Sequence, residues 1–287
     1  MSSNIVLGLG TRQNLLALQQ INQNMNTAQN HLATGLKVAS AVDDAVKFFQ
    51  SQSLENRATD ISARKDQVDQ GISTLTAATN GAQSVVTILQ QMQGIINTAK
   101  TQTATQRVSS ATQFNVLSKQ LNNLVNDTSY QGLNLINSTT STLSLQFSVA
   151  STSTMKIHGF NLNLSKLITT LGGVASKAAS LLVTVGFSKV SNKTSIFDKA
   201  FNTLQNAVFA AQSDAQALGA NVTFLQTRLT FSAQYMTTLQ AGSDKLVVAD
   251  VNQESTNLVT LQTRQQLSIQ SLSIATQSEQ AVLRLFH

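Results

Sequence analysis

The chain has 287 residues, of which only 11% are charged and 5% aromatic, and it contains no proline and no cysteine. The absence of cysteine excludes disulfide bonds and thiol chemistry, and the absence of proline, which interrupts helices, favours long unbroken helices. The net charge of +6 includes five lysines spread over residues 138–196, too sparse for the clustered basic surface typical of nucleic-acid binding, so no nucleic-acid partner is expected.

The first predicted element is a helix over residues 11–34. Its apolar positions alternate steps of three and four, the spacing of one helix face; they are Leu18, Ile21, Met25, Ala28 and Leu32. Gly35 predicts the end of this helix, because glycine readily takes the left-handed conformation that follows a helix. A short connection over residues 36–42 leads to the next element.

A much longer helix is predicted from residue 44 to residue 100. The three-four spacing continues from Leu54 to Ile96, and at 1.5 Å per residue such a helix is about 85 Å long. This length exceeds the diameter of a small globular domain and predicts a rod. A third helix is predicted over residues 106–127.

Residues 138–196 have a different pattern. Apolar and polar residues alternate from Leu143 to Val149 and from Phe160 to Leu164, which is typical of short β-strands. A second long helix is predicted from Phe197 to a break at Gly242, and a terminal helix follows. We therefore predict a mainly α fold: a long antiparallel coiled-coil-like helical rod with a small β-rich insert.

Two adjacent carboxylates, Asp43 and Asp44, lie where the long helix is expected to begin. Neighbouring residues on a helix point about 100° apart, so the two do not face each other as a proton-sharing pair would. A carboxylate there can accept the free N–H groups of the first turn and complement the positive helix end. We predict that Gly35, Asp43 and Asp44 form a helix cap and joint.

No catalytic, metal-binding or cofactor-binding pattern is present in the sequence. His31, His158 and His287 are scattered and form no His-Glu-x-x-His motif, and no arrangement for nucleophilic catalysis is visible. We predict no enzymatic activity, no metal and no cofactor. No apolar stretch of ~18 residues and no cleavable signal peptide is recognised, and the predicted helix 11–34 lacks a basic face. Stable membrane insertion is not expected.

Several motifs together resemble those of bacterial flagellins, in particular the short alphaproteobacterial kind. LATGLKVASAVDDA (residues 32–45) is similar to the N-terminal signature, and YQGLNLI (130–136) is similar to the end of the N-terminal core. In the C-terminal part, LGA (218–220), ADVNQE (249–254) and AVLRLF (281–286) are similar to flagellin segments. The likeness covers residues 1–137 and 197–287.

The resemblance implies a structural subunit, exported through the flagellar type III apparatus without a cleaved signal peptide, that polymerises into the extracellular filament used for swimming. Five segments follow from it: an inner-core helix and connector (1–43), N-terminal rod helices (44–137), a variable, surface-exposed β-rich insert (138–196), a C-terminal rod helix (197–242) and a C-terminal inner-core helix (243–287). The implied partners are further copies of the chain, other flagellins, an export chaperone, and cap and hook-associated proteins.

Neighbouring subunits are expected to cover the apolar stripes of the two terminal helices, because an isolated pair of such helices buries little surface. The predicted assembly interface consists of Leu18, Ile21, Met25, Leu32, Leu258, Leu261, Leu272, Val282, Leu285 and Phe286. Folding of the ends would then be coupled to polymerisation.

Two alternatives share features with this interpretation. A hook–filament junction protein has similar ends but usually a proline-rich variant of the Asp-Asp motif, and a type III secretion translocator needs a longer apolar segment. A further expectation concerns the patch that animal innate receptors recognise on many flagellins. Its charged residues are replaced here by Gln91, Gln93 and Gly94, which predicts weak receptor activation because charge-assisted hydrogen bonds are lost.

Overall fold

The computed structural model describes residues 9–148, 153–170 and 194–285. Along this part of the chain, six helices and two strands follow one another: α1 (Leu9–Thr34), α2 (Ala45–Thr101), α3 (Ala104–Asp127), β1 (Thr142–Gln146), β2 (Thr154–His158), α4 (Leu164–Thr170), α5 (Thr194–Val247) and α6 (Val251–Leu285). The predicted mainly α fold with a small β-rich insert is confirmed. None of these helices combines the length and apolar character needed to cross a membrane.

The chain divides into two compact units. The terminal unit comprises Met1–Ala58 and Thr237–His287, and the central unit comprises Thr59–Met236. The five-segment division expected from the sequence stays a prediction.

In the central unit, α2 and α5 run antiparallel and share one core. Lys100 Nζ lies 2.6 Å from Asp198 Oδ1, and Gln93 Nε2 donates to Gln205 Oε1 at 3.0 Å. The three-four spacing of both helices places their apolar stripes in this core. Its fully buried members include Leu75, Leu89, Met92, Ile96, Phe197, Leu204, Leu218 and Leu225.

Helix α3 folds back after a short turn and buries Phe114, Leu121 and Val125. Gln106 Oε1 accepts the N–H of Thr103 at 3.1 Å, which stabilises the start of the helix. Arg107 closes the turn: its Nε donates to the Ala99 carbonyl at 2.9 Å, and its guanidinium lies 4.9 Å from the centre of the Phe197 ring.

Strands β1 and β2 form an antiparallel pair in which Leu143 lies opposite Ile157 and Leu145 opposite Met155. The strand predicted over residues 160–164 is wrong. Residues 160–163 belong to no helix or strand, and Leu164 begins α4; Phe160 N donates to the Leu135 carbonyl at 2.7 Å and Leu162 N to the Ile136 carbonyl at 2.9 Å. Leu162 and Leu164 are buried and the asparagines before each of them are half-buried, so the alternation reflects alternating burial.

The break predicted at Gly242 is also wrong, because α5 continues through this residue to Val247. A single glycine costs a helix only ~1 kcal/mol relative to alanine. Leu54 lies beside Gly242: a Cβ at this position would lie 3.5 Å from Leu54 Cδ1, an ordinary contact distance. Packing within the terminal unit therefore outweighs the local preference, and the turn falls between Val247 and Val251.

Candidate assembly surface

Helices α1 and α6 pack against each other antiparallel in the terminal unit. His31 Nδ1 contacts a carboxylate oxygen of Glu254, and Gln265 Nε2 donates to Asn22 Oδ1 at 2.6 Å. Residues near the C-terminal end of α1 thus lie against residues near the N-terminal end of α6. These polar contacts set the register of the pair.

The predicted assembly residues lie along this helix pair. Leu261 is buried, with only 6% of its surface exposed. Six others are half-buried: Leu18, Ile21, Met25, Leu32, Leu258 and Leu272. The side chains of Val282 and Leu285, and the whole of Phe286, lie outside the described residues. Because α1 and α6 cover these stripes for each other, the stripes form a narrow seam within one chain.

A second set of apolar side chains on the same helices is exposed. The exposed fraction is 65% for Leu16 and Leu267, 61% for Val259 and 59% for Ile274. Val259, Leu267 and Ile274 follow at steps of eight and seven, which places them on one face of α6, away from Leu261. We call these three residues the outer face of α6.

The turn that follows α1 is fastened to the turn between α5 and α6. Gly35 has a φ of 71° and donates to the His31 carbonyl at 2.9 Å, which ends α1. Its own carbonyl accepts the N–H of Ala249 at 2.9 Å, and Lys37 N donates to the Val247 carbonyl at 2.7 Å. The predicted joint at Gly35 is therefore a short two-stranded bridge.

Asp43 and Asp44 bind different backbone groups. Asp44 Oδ1 accepts the N–H of Lys47 at 3.1 Å, the bond expected of an N-cap residue preceding Ala45. Asp43 Oδ2 accepts the N–H groups of Ala39 and Ser40, at 3.0 and 2.9 Å. Asp44 thus caps α2, and Asp43 holds the connection that precedes it.

Hydrogen bonding lowers the pKa of three carboxyl groups in this region. The backbone N–H of Ser40 is the main cause of the lowered pKa of Asp43, and the N–H of Lys47 is the main cause for Asp44. The side chain of His31 lowers the pKa of Glu254 in the same way. All three groups are hydrogen-bonded as carboxylates, so acid weakens the contacts that they make.

The three receptor-patch positions, in the central unit, differ in exposure. Gln91 and Gly94 are exposed on α2, whereas Gln93 is buried and bonded to Gln205. The receptor expectation itself stays a prediction.

Sequence reasoning missed the outer face of α6 and Leu16. The steps of eight and seven in α6 were a usable signal, but polar residues such as Thr263 and Gln270 separate the apolar ones. It also missed the buried contact between Ser51 Oγ and Ser243 Oγ, at 2.8 Å, which joins the start of α2 to the end of α5 in the terminal unit.

Comparison with known proteins finds flagellar relatives. Residues 9–141 match the family described as "Bacterial flagellin N-terminal helical region". The chain is 28% identical to flagellin FljO of Caulobacter vibrioides over 282 residues, and 25% identical to a flagellin of Brucella melitensis over 275 residues. Each of these alignments covers 95% of both chains.

Among solved structures, the fold is similar to that of a flagellar hook-associated protein from Vibrio parahaemolyticus. The TM-score is 0.61 at 15% identity, and the match covers 72% of this chain and 100% of that one. At this identity the likeness concerns the fold alone.

Proposed function

This chain belongs to the bacterial flagellins of the alphaproteobacterial type and is a filament subunit of the flagellum; from this premise we propose that α1 and α6 provide its principal polymerisation surface. The filament is extracellular, and its subunits associate with one another. The proposal concerns which residues make that association: the outer face of α6, the exposed part of α1, and the ends of the seam between them.

One observation carries the proposal: the terminal unit leaves many of its large apolar side chains uncovered. Leu16, Val259, Leu267 and Ile274 are all more than half exposed, and Val42, at the joint, is 95% exposed. Exposed apolar side chains that gather on one face of a helix, as on the outer face of α6, are typical of interaction sites. Each side chain that a neighbouring subunit covers contributes about 1–2 kcal/mol to association.

The chemistry of the unit supports assembly-coupled ordering. The seam between α1 and α6 contains few fully buried apolar residues, among them Ala28 and Leu261. A helix pair with so small a core is marginal in water. Contacts from neighbouring copies would supply the missing burial, with α1 and α6 forming the inner tube of the filament and α2 and α5 the outer one.

We further infer that the chain leaves the cell through the flagellar type III apparatus, without a cleaved signal peptide. An export chaperone, the filament cap and hook-associated proteins are its proposed transient partners. We propose that it has no catalytic activity, in keeping with a family of structural proteins. Relatives aligned over 95% of their length are flagellins, which favours a filament subunit over the junction-protein and translocator alternatives.

Truncation tests the polymerisation surface. Chains lacking residues 1–34 or 247–287 are expected to keep the helices of the central unit and to lose polymerisation. Far-UV circular dichroism measures the first property, and negative-stain microscopy of protein added to filament seeds measures the second. Filaments of normal length from either truncation would contradict the proposal.

The receptor prediction is tested separately. Purified monomer is expected to activate the animal innate flagellin receptor weakly, because Gln91 and Gly94 offer neither the cations nor the carboxylate of the usual patch. A reporter-cell assay against a strongly activating flagellin provides the measurement. Equal potency of the two proteins would contradict the expectation.

A further inference from the structure

One flank of α5 in the central unit carries a row of aromatic rings with a single cation among them. Phe224, Arg228, Phe231 and Tyr235 follow at steps of four, three and four, so they lie on the same side of the helix. Phe147, just after β1, completes the row. We call these five residues the aromatic ladder.

Each member of the ladder contacts the next one along the row. The Phe147 and Phe224 ring centres lie 6.3 Å apart, edge to face, and Phe231 stacks on Tyr235 at 5.8 Å. The Arg228 guanidinium lies 5.1 Å from the centre of the Phe147 ring and 5.1 Å from that of Phe231. Cation–π contacts on both sides hold it in one orientation.

The ladder is accessible although it is ordered. Phe224 and Phe231 are each 51% exposed. Aromatic residues and arginine are the side chains that dominate protein–protein association energies, because they present a large rigid surface. A pre-ordered row of them needs little further ordering to bind.

Arg228 is the only cation of the ladder. Its Nε is buried, and among the described residues it has no hydrogen-bond partner. It is also the only charged residue between Asp214 and Asp244. A partner cannot reach the buried Nε, but the two terminal nitrogens of a guanidinium can also bind a carboxylate through two parallel N–H···O bonds, so the ladder suits a partner that presents an acidic side chain.

The chain itself offers such side chains. Asp60 and Asp66 are exposed on α2 in the central unit, and in the part of the chain that the structure describes neither has a partner. By contrast, Asp69 lies 3.8 Å from Lys65, and Asp198 is bound to Lys100. In a filament, other copies of this chain are the most abundant neighbours.

We propose that the aromatic ladder docks on a second copy of this chain, and that Asp60 or Asp66 of that copy binds Arg228. The contact pairs different residues of the two copies, and in its heterologous form it can propagate along a helical polymer. The proposal rests on the proposed function in requiring polymerisation. It uses only the central unit, however, whereas the polymerisation surface proposed above belongs to the terminal unit.

Charge reversal in the full-length chain tests the contact. Arg228→Glu is expected to raise the critical concentration for growth on filament seeds at least about tenfold, because it opposes two carboxylates. Lys119→Glu changes the net charge equally at an exposed position of α3 and is expected to stay within twofold of the wild type. Combining Arg228→Glu with Asp60→Arg or with Asp66→Arg is expected to restore growth in one of the two pairs.

Three results would contradict the proposed contact between the ladder and a second copy. Wild-type growth of Arg228→Glu, an equal defect in Lys119→Glu, or failure of both reversals overturns the ladder contact. Thermal unfolding of each monomer separates loss of binding from loss of folding, and Arg228→Gln replaces Arg228→Glu if the latter does not fold. If Arg228→Glu grows normally while the chain lacking residues 1–34 does not, only the ladder contact is overturned, and the terminal polymerisation surface stands.

Discussion

At the residue scale, the joint between α1 and α2 depends on where two neighbouring carboxylates find their donors. Asp44 accepts from Lys47 inside the helix, and Asp43 accepts from Ala39 and Ser40 before it. One side chain thus fixes where the helix begins, and the other fixes the path of the chain into it. Adjacent positions in the sequence serve two different elements.

Asp44→Ala is therefore expected to loosen the first turn of α2. The N–H of Lys47 loses its acceptor, so its amide hydrogen should exchange several-fold faster with solvent. Hydrogen exchange measured residue by residue gives the exchange rate of the Lys47 amide. Asp43→Ala is the matched control: it should accelerate exchange at Ala39 and Ser40 and leave Lys47 nearly unchanged. Identical exchange profiles for the two variants would contradict the division of roles.

Acid is expected to weaken the contact between α1 and α6. The pKa of Glu254 is lowered by the hydrogen bond with His31, so folding favours the carboxylate. The stabilisation is fully present above the unfolded pKa, about 4.5, and is lost as pH falls through the lower folded value. The pKa values of Asp43 and Asp44 are also lowered, so acid is expected to weaken the contacts of these two carboxylates as well.

Melting temperatures recorded between pH 6 and pH 3 check this expectation. The wild-type chain should lose stability steeply below about pH 4.5, and Glu254→Gln should lose less over the same interval. Glu254→Gln should also begin from a lower stability at pH 6, because it replaces a charge-assisted hydrogen bond. Parallel curves for the two proteins would show that Glu254 does not contribute.

At the element scale, long regular helices were predictable because one apolar stripe per helix repeats many times. The starts and ends of α1, α2 and α3 follow that signal to within about two residues. The end of α5 did not, because Gly242 lies beside Leu54 and the helix continues. The pattern over residues 160–164 predicted a strand wrongly, because alternation indicates alternating burial, which a strand and an irregular segment can share.

The exposed residues were harder to predict for a related reason. A periodic pattern reveals which residues face the largest neighbour, and for α1 and α6 that neighbour is the other helix of the same chain. Contacts with other copies, as proposed, would add a second, shorter pattern on top of the first. Val259, Leu267 and Ile274 have the spacing of such a pattern, and the polar residues between them hide it. Pairings such as His31 with Glu254 depend on register, which one sequence does not reveal.

Two glycines in the central unit are expected to respond oppositely to alanine. Gly94 lies inside α2 with no atom within 4 Å of a built Cβ, so Gly94→Ala should stabilise the unit by up to about 1 kcal/mol. At Gly159 a Cβ would lie 2.5 Å from the Ser138 carbonyl oxygen and 2.8 Å from that of Leu135. Because backbone atoms cannot move aside cheaply, Gly159→Ala should destabilise by roughly 1–3 kcal/mol.

Urea unfolding followed by circular dichroism measures both changes in free energy. Gly219→Ala offers a second test of the helical case, since a Cβ there also meets nothing within 4 Å. A loss of stability in Gly94→Ala, or none in Gly159→Ala, would show that the backbone is packed differently at these sites.

At the scale of the whole molecule, the two units differ in how completely they bury their apolar residues. The central unit has a continuous core that includes Leu75, Phe114, Ile136 and Phe197, each no more than 1% exposed. The terminal unit has a narrow seam and several exposed apolar side chains, among them Leu16, Val259 and Leu267. Under the proposed function, the central unit is ordered in the single chain and the terminal unit completes its burial on joining the filament.

This difference predicts that stability and polymerisation are separable in α6. Leu267→Gln and Ile274→Gln remove exposed apolar surface from the outer face of α6, so they should leave the melting temperature of the monomer unchanged within about 1 °C. Because each removes about 1–2 kcal/mol of association energy per contact, the critical concentration should rise about tenfold.

Leu261→Ala, in the buried seam, should instead lower the stability of the monomer by roughly 2–5 kcal/mol. Calorimetry of monomers and sedimentation of seeded filaments provide the two measurements, and normal growth of Leu267→Gln together with Ile274→Gln would place the polymerisation surface elsewhere.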